Sequence, residues 1–275
     1  MRFVCGAFAS IFMLLTACGG SDIQYERPDG SRVEINVKAS SFVDADARRL
    51  DEVVRSRGGV CRDGSLNRRA VSTLEQVLPL FDVRQDIRIT CIDRRDPSAF
   101  VSGTRDILIS RGMIERMTGH GQLEFVIGHE LAHLYWAHRE KFARLERLAD
   151  EFLSKELKPV SSNVQARADF LGEANAIRNL FLDMEYKADT LAIRRLSKTS
   201  SSPCLGAGLA FIENMSNRFR EVHPWMLRAP QEELLRSWLQ TGNKSVDRYK
   251  VHPFLAQRRA NIVEAMKMYC PSQEL

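Results

Sequence analysis

Several features that would assign the chain to a membrane interior or to a nucleic acid are missing from its sequence. After residue 15, no stretch approaches the roughly 18 continuous apolar residues of a membrane-spanning helix. The net charge of +5 is modest, and no run of lysine and arginine is interleaved with aromatic residues. A mixed, solvated surface is therefore favoured over a nucleic-acid-binding one, and we expect no nucleic-acid partner.

The sequence also contains no CxxC spacing, which argues against a cysteine metal site. An even number of cysteines would remain after export, as is typical of disulfides in an oxidising compartment. These residues are Cys61, Cys91, Cys204 and Cys270. Three pairings are possible, and sequence order favours Cys61–Cys91 together with Cys204–Cys270.

The first residues resemble a bacterial lipoprotein signal peptide. A short basic start precedes an apolar stretch over residues 3–15, and the letters LTACG at 15–19 are similar to a lipobox. We therefore predict a signal peptide over residues 1–17, lipidation of Cys18, and a tether over residues 18–40 that includes a small hairpin. The glycine after the cysteine is typical of outer-membrane sorting. The alternative is an ordinary signal peptide with an incidental cysteine.

Residues 41–275 are predicted to form a single domain of the α+β class that is mainly α-helical. The hydrophobic fraction of 44% and the charged fraction of 27% are ordinary for a globular protein. Helical spacing of apolar residues predicts helices over residues 41–57, 65–81, 163–197, 204–219 and a last one ending near 269. Alternating apolar and polar residues predict three strands, over residues 86–93, 98–101 and 106–110.

One apolar run, residues 126–134, contains the pattern HExxH. In a helix predicted to run from about residue 119 to Phe142, His129 and His133 project from one face, one turn apart. Two neutral imidazoles so placed can bind one zinc ion, and Glu130 can take a proton from the attacking water. Because the pattern arises by chance in roughly one comparable chain per hundred, the surrounding sequence has to support a metal site.

A catalytic zinc site usually has a third protein ligand. His138 comes five residues after His133, which rotates it off the ligand face, so a helix-end histidine is favoured there. Glu185 and Asp189 lie four residues apart on a later helix, where like charges would mildly destabilise a solvated pair. We therefore predict Glu185 as the third ligand and Asp189 as the carboxylate that orients a ligand histidine. Glu173 is a further candidate, and the glutamates nearest the motif have little room to fold back onto it: Glu140, Glu146, Glu151 and Glu156.

Three motifs resemble the signatures of one peptidase family. They are HELAH at 129–133, EYKAD at 185–189, and His252-Pro253 followed by Arg258. They are similar to those of the gluzincin zinc metallopeptidases that include HtpX, BepA, LoiP and the CAAX prenyl proteases. The likeness spans roughly residues 65–270, and the lipid anchor resembles the small periplasmic lipoprotein members of the LoiP or YcaL kind. Ser98 and Cys204 depart from the family pattern.

The resemblance implies a zincin-type catalytic domain, with a small sheet beside the HExxH helix and one Zn²⁺ per chain. The segment SAFV is similar to the edge strand of that family, so Ala99, Phe100 and Val101 are expected to pair with the substrate backbone. His252 and Arg258 are expected to stabilise the developing oxyanion, and the alternative for both is to brace the last helix. Further candidates for that donor are His223 and Tyr249.

Together these features predict a zinc endopeptidase of the cell envelope. We expect it to be lipid-anchored through Cys18, on the periplasmic face of the outer membrane, and to cleave unfolded or misassembled envelope proteins. The first alternative is a zinc-binding lipoprotein that acts mainly as a chaperone or assembly factor, with gated or absent proteolysis. The second is a structural lipoprotein with an incidental HExxH. The sequence carries no signal for a particular oligomeric state.

Overall fold

The chain divides into two compact units, residues 1–41 and residues 42–275. The computed structural model describes residues 23–26, 32–35, 45–83, 86–119, 121–136, 164–198, 206–222 and 255–270. In the first unit, β1 (Ile23–Glu26) and β2 (Arg32–Ile35) form an antiparallel pair with Tyr25 opposite Val33. This pair lies where apolar and polar residues alternate on either side of a Pro-Asp-Gly turn sequence.

The second unit contains a small mixed sheet. Its strands are β3 (Arg88–Ile92), β4 (Ala99–Ser102) and β5 (Asp106–Ser110). The central strand is β5, which is parallel to β3 and antiparallel to β4. β4 therefore forms one edge of this sheet.

Helices cover both faces of this sheet. On one face, Phe100 and Leu108 pack against Val54 of α1 (Ala45–Ser56). On the opposite face, Ile107 and Ile109 of β5 join the main core with side chains of α2 (Gly64–Val77). The sequence predicts this helix over residues 65–81 with a break near Pro79, and the break is confirmed: α2 ends at Val77, and a short 3₁₀ turn that contains Pro79 follows over Leu78–Leu80.

Five further helices complete the described part of the second unit. They are α3 (Arg111–Arg116), α4 (Gln122–Tyr135), α5 (Val164–Leu196), α6 (Ala207–Val222) and α7 (Leu255–Tyr269). α4 approaches α5 closely at Gly128, where a Cβ atom would lie 3.1 Å from Cδ1 of Leu196. The predicted continuation of α4 to Phe142 and a helix predicted over residues 145–157 fall outside the described residues.

The mainly helical α+β class predicted from the sequence is confirmed. A disulfide joins Cys61 to Cys91, with the Cα atoms 5.3 Å apart, and this is one of the two pairings that sequence order favours. Cys270 is also disulfide-bonded, whereas Cys204, its predicted partner, lies outside the described residues. Within the described segments, no helix combines the length and the apolar character that crossing a membrane would need.

Candidate metal centre

The two histidines of the HExxH motif lie in the buried middle of α4. Apolar residues surround them on the same helix, so α4 crosses the core instead of lying on its surface. His129 is 5% exposed and His133 is 6% exposed. Their Nε2 atoms are 3.0 Å apart, as expected for side chains one helical turn apart that face the same point. Two buried ring nitrogens could therefore bind a single metal ion.

Glu185 of α5 brings a carboxylate to the same point. Its Oε2 lies 3.4 Å from Nε2 of His129, and its Oε1 lies 3.5 Å from Nε2 of His133. Ligand atoms bound at about 2.0–2.1 Å around a tetrahedral ion are about 3.3 Å apart, close to these distances. All three ligand atoms lie within 4.8 Å of one another. The arrangement fits two nitrogens and one oxygen around one zinc ion.

Behind these three residues, Asp189 and Arg258 form a buried ion pair. Nε of Arg258 donates to Oδ2 of Asp189 at 2.9 Å, and the NH2 nitrogen of the same guanidinium donates to Oδ1 at 2.6 Å. NH1 of the same arginine lies 2.8 Å from Oε2 of Glu185. Nδ1 of His129 lies 2.9 Å from Oδ1 of Asp189. One guanidinium thus holds the carboxylates of two α5 residues that face the histidines.

The charge of this buried cluster also suits a divalent cation. Glu130, Glu185 and Asp189 are three buried carboxylates, and Arg258 is one buried guanidinium. With both histidines neutral, these groups leave a formal charge of −2, which is costly in a site that excludes water. One Zn²⁺ would bring the formal charge to zero.

The pKa values of the site reflect burial and close charges. Burial lowers the pKa of His133 to about 3, so this ring is neutral at physiological pH. Burial also lowers the pKa of His129, but the nearby Asp189 carboxylate outweighs it and raises that pKa to about 9. Asp189 faces Nδ1 and favours a proton there, so a bound metal ion would displace the proton from Nε2 and be coordinated by that nitrogen. Burial raises the pKa of Glu130 to about 7, within the range useful for a general base at neutral pH.

Glu130 faces the edge strand of the sheet. Ser98 and Ser110 form a hydrogen-bonded pair at the start of the ladder between β4 and β5. Bonded and non-bonded pairs alternate in an antiparallel ladder, so the backbone groups of Ala99 and Val101 point away from β5. The N–H of Val101 accordingly donates to the Glu130 carboxylate. Glu130, the candidate general base, and the edge strand β4 are therefore neighbours.

An aromatic wall borders the metal ligands, and sequence reasoning did not single it out. The ring of Phe211 on α6 lies 6.5 Å from that of His129 and 5.6 Å from the Arg258 guanidinium. Phe125 lies 5.7 Å from Phe211. The Phe211 ring thus faces the cation of the ion pair. Apolar spacing marks both residues as core, but spacing alone does not indicate which core residues border a site.

The structure brings together most of the residues predicted for the site. His129, Glu130, His133, Glu185 and Asp189 converge, with β4 beside them. Arg258 joins them from behind the ligand carboxylates, on the side expected of a bracing residue. The other predicted residues fall outside the described part of the chain: Cys18, His138, His223, Tyr249 and His252.

Comparison with known proteins agrees with this geometry. Residues 65–265 match the model of Peptidase family M48, a span that contains every converging residue named above. No significant match was found among the curated proteins. M48 peptidases are zinc-dependent, and the buried donors suit that metal. The chain therefore belongs to peptidase family M48, the zinc metallopeptidases that include HtpX, BepA and the CAAX proteases.

Proposed function

We propose that this family member is a zinc endopeptidase, tethered to a membrane, that hydrolyses unfolded or misassembled proteins of the cell envelope. The observation that carries the proposal is the position of Glu130. It follows the ligand His129 directly in sequence, and its carboxylate contacts the backbone of Val101 on the edge strand β4. A polypeptide that pairs with this edge would bring its backbone carbonyls close to the triad.

The residues of the site divide the chemistry among them. His129, His133 and Glu185 would hold a zinc ion, which supplies a Lewis acid that polarises the scissile carbonyl and lowers the pKa of water. Glu130 takes the proton of the attacking water and delivers it to the leaving amine as the C–N bond breaks. Asp189 keeps the His129 ring in the tautomer that presents Nε2. Arg258 orients Asp189 and Glu185, and His252, His223 or Tyr249 would supply the second oxyanion donor.

The edge strand supports the proposed preference for unfolded polypeptides. The backbone groups of Ala99 and Val101 are directed away from the sheet, whereas Phe100 is buried against α1. Pairing with backbone groups fixes an extended chain without requiring particular side chains. A folded protein has few extended segments with unpaired backbone groups, so unfolding would be the feature that makes a substrate.

The envelope location is proposed from the lipobox-like segment at residues 15–19. Lipidation of Cys18 would keep the catalytic unit within reach of a membrane surface. When the chain is expressed in a bacterium, the mature protein should begin at Cys18 and carry lipid there, and Cys18→Ser should carry none. A mature protein without lipid at Cys18 would argue against this anchor.

Cleavage of matched folded and unfolded substrates tests the proposed activity. The form lacking residues 1–18, supplied with zinc, should cleave casein and a reduced, unfolded protein, and should leave the native form of that protein intact. A chelator should abolish cleavage, and added zinc should restore it. Bound zinc without cleavage of any unfolded substrate would favour the chaperone or gated alternative.

A further inference from the structure

The structure assigns Ser110 as a positioning residue for the substrate-binding edge, an inference that rests on the proposed peptidase function. Ser110 is the last residue of β5, is fully buried, and is the N-cap of α3. Its hydroxyl oxygen accepts the N–H of Ser98 at 2.8 Å and the N–H of Met113 at 3.1 Å. One side chain thus joins the start of the edge strand to the start of a helix.

The contact with Ser98 replaces part of the backbone ladder. The N–H of Ser110 donates to the carbonyl of Ser98 at 2.8 Å, as in an ordinary antiparallel pair. The return bond, from the N–H of Ser98, goes to the Ser110 side chain. The N-terminal end of β4 is consequently fixed by a hydroxyl group, and only serine or threonine would offer it in this position.

The loop before β4 is held against the same turn of α3. The N–H of Gly112 donates to the carbonyl of Arg94 at 2.9 Å, and Nε of Arg111 lies 3.2 Å from Oδ1 of Asp93. A Cβ atom at Gly112 would lie only 1.8 Å from the carbonyl oxygen of Arg95, so the backbone contact leaves no room for a side chain. Residues 110–112 therefore form a clamp on the loop, which we name the α3 clamp.

The α3 clamp sets the position of β4 relative to α4, the helix that carries Glu130. Val101, three residues after Ser98, donates its N–H to Glu130 of α4. The edge strand is thus fixed at one end by Ser110 and meets the proposed general base near the other. Loss of the hydroxyl would leave the N–H groups of Ser98 and Met113 without an acceptor and would free the start of the strand. Zinc ligands would stay in place, because they lie on α4 and α5.

Kinetics with a long and a short substrate separate this role from general stability. For the full chain in mild detergent, Ser110→Ala should raise KM for casein about tenfold, the effect of one or two lost hydrogen bonds. The kcat for casein and the turnover of a short fluorogenic peptide, which does not extend along β4, should change less than about twofold. Zinc content should be unchanged, and Ser110→Thr, which keeps the hydroxyl, should recover most of the casein KM.

Asp63→Ala provides the matched control. Asp63 is the N-cap of α2, where its carboxylate accepts the N–H of Ser65, so its loss also removes a helix cap. It should lower the melting temperature without changing KM for casein. If Ser110→Ala does not fold, Arg111→Ala takes its place: it should raise the KM for casein by a smaller factor and leave turnover of the short peptide unchanged. An unchanged casein KM in Arg111→Ala would then overturn the inference.

The possible failures are distinguishable. An unchanged casein KM in Ser110→Ala, or equal effects on the long and short substrates, would overturn the positioning role and leave the peptidase proposal intact. No cleavage of either substrate by the unsubstituted, zinc-loaded chain would overturn both.

Discussion

Glu130→Gln is expected to lower the rate of casein cleavage by about a thousandfold, with bound zinc unchanged. Glutamine keeps the size of the side chain and an oxygen that can accept the N–H of Val101. It cannot take a proton from water at neutral pH, so the loss isolates the general-base step. Initial rates and zinc content of the same preparations measure both quantities.

Glu124→Gln is the matched control for this substitution. Glu124 lies in the first turn of the same helix, five residues before His129, and no described contact joins it to the triad. Its variant should cleave casein at the unsubstituted rate. Comparable activity in Glu130→Gln and Glu124→Gln would show that Glu130 is not the base.

Arg258→Met is expected to lower the free energy of unfolding by about 3–5 kcal/mol. Arg258 is only 2% exposed, and its guanidinium contacts both Asp189 and Glu185. Methionine fills a similar volume but leaves the Asp189 carboxylate without its cation in a buried site. Urea unfolding at a fixed, saturating zinc concentration would measure the loss, because bound zinc itself stabilises the folded state.

The neighbouring Arg259 provides the comparison. Its side chain is exposed, so Arg259→Met should change the free energy of unfolding by no more than about 0.5 kcal/mol. A contrary result would be an Arg258→Met protein with unchanged stability and zinc content but a much lower kcat. That combination would indicate contact with the reacting carbonyl, the oxyanion role, in place of the orienting role.

Sequence patterns predict the elements of this site more fully than their mutual arrangement. The spacing of His129 and His133 fixes their shared face, because a helix places residues four apart one above the other. Glu185 and Asp189 could be found because two acidic residues at that spacing are unfavourable without a cation nearby. Local rules therefore predict four of the converging residues before any tertiary contact is known.

Contacts between distant segments could not be predicted in the same way. Arg258 reaches Asp189 across 69 positions of sequence, and no local pattern shows which carboxylates an arginine will meet. The family motif singled out Arg258, but it left open the choice between an oxyanion donor and a brace. Ser110 reads in sequence as the end of a strand, and only the tertiary structure shows that its hydroxyl also binds Ser98.

The central claim is that His129, His133 and Glu185 bind one zinc ion, and zinc content measures it most directly. The full chain, purified with zinc and dialysed, should retain one zinc ion per chain, and so should Glu213→Ala, which alters an exposed glutamate on α6. Glu185→Ala should lose most of its zinc in the same dialysis, because two histidines alone form an incomplete site. Equal zinc retention in Glu185→Ala and Glu213→Ala, or no zinc in the unsubstituted chain, would contradict the account.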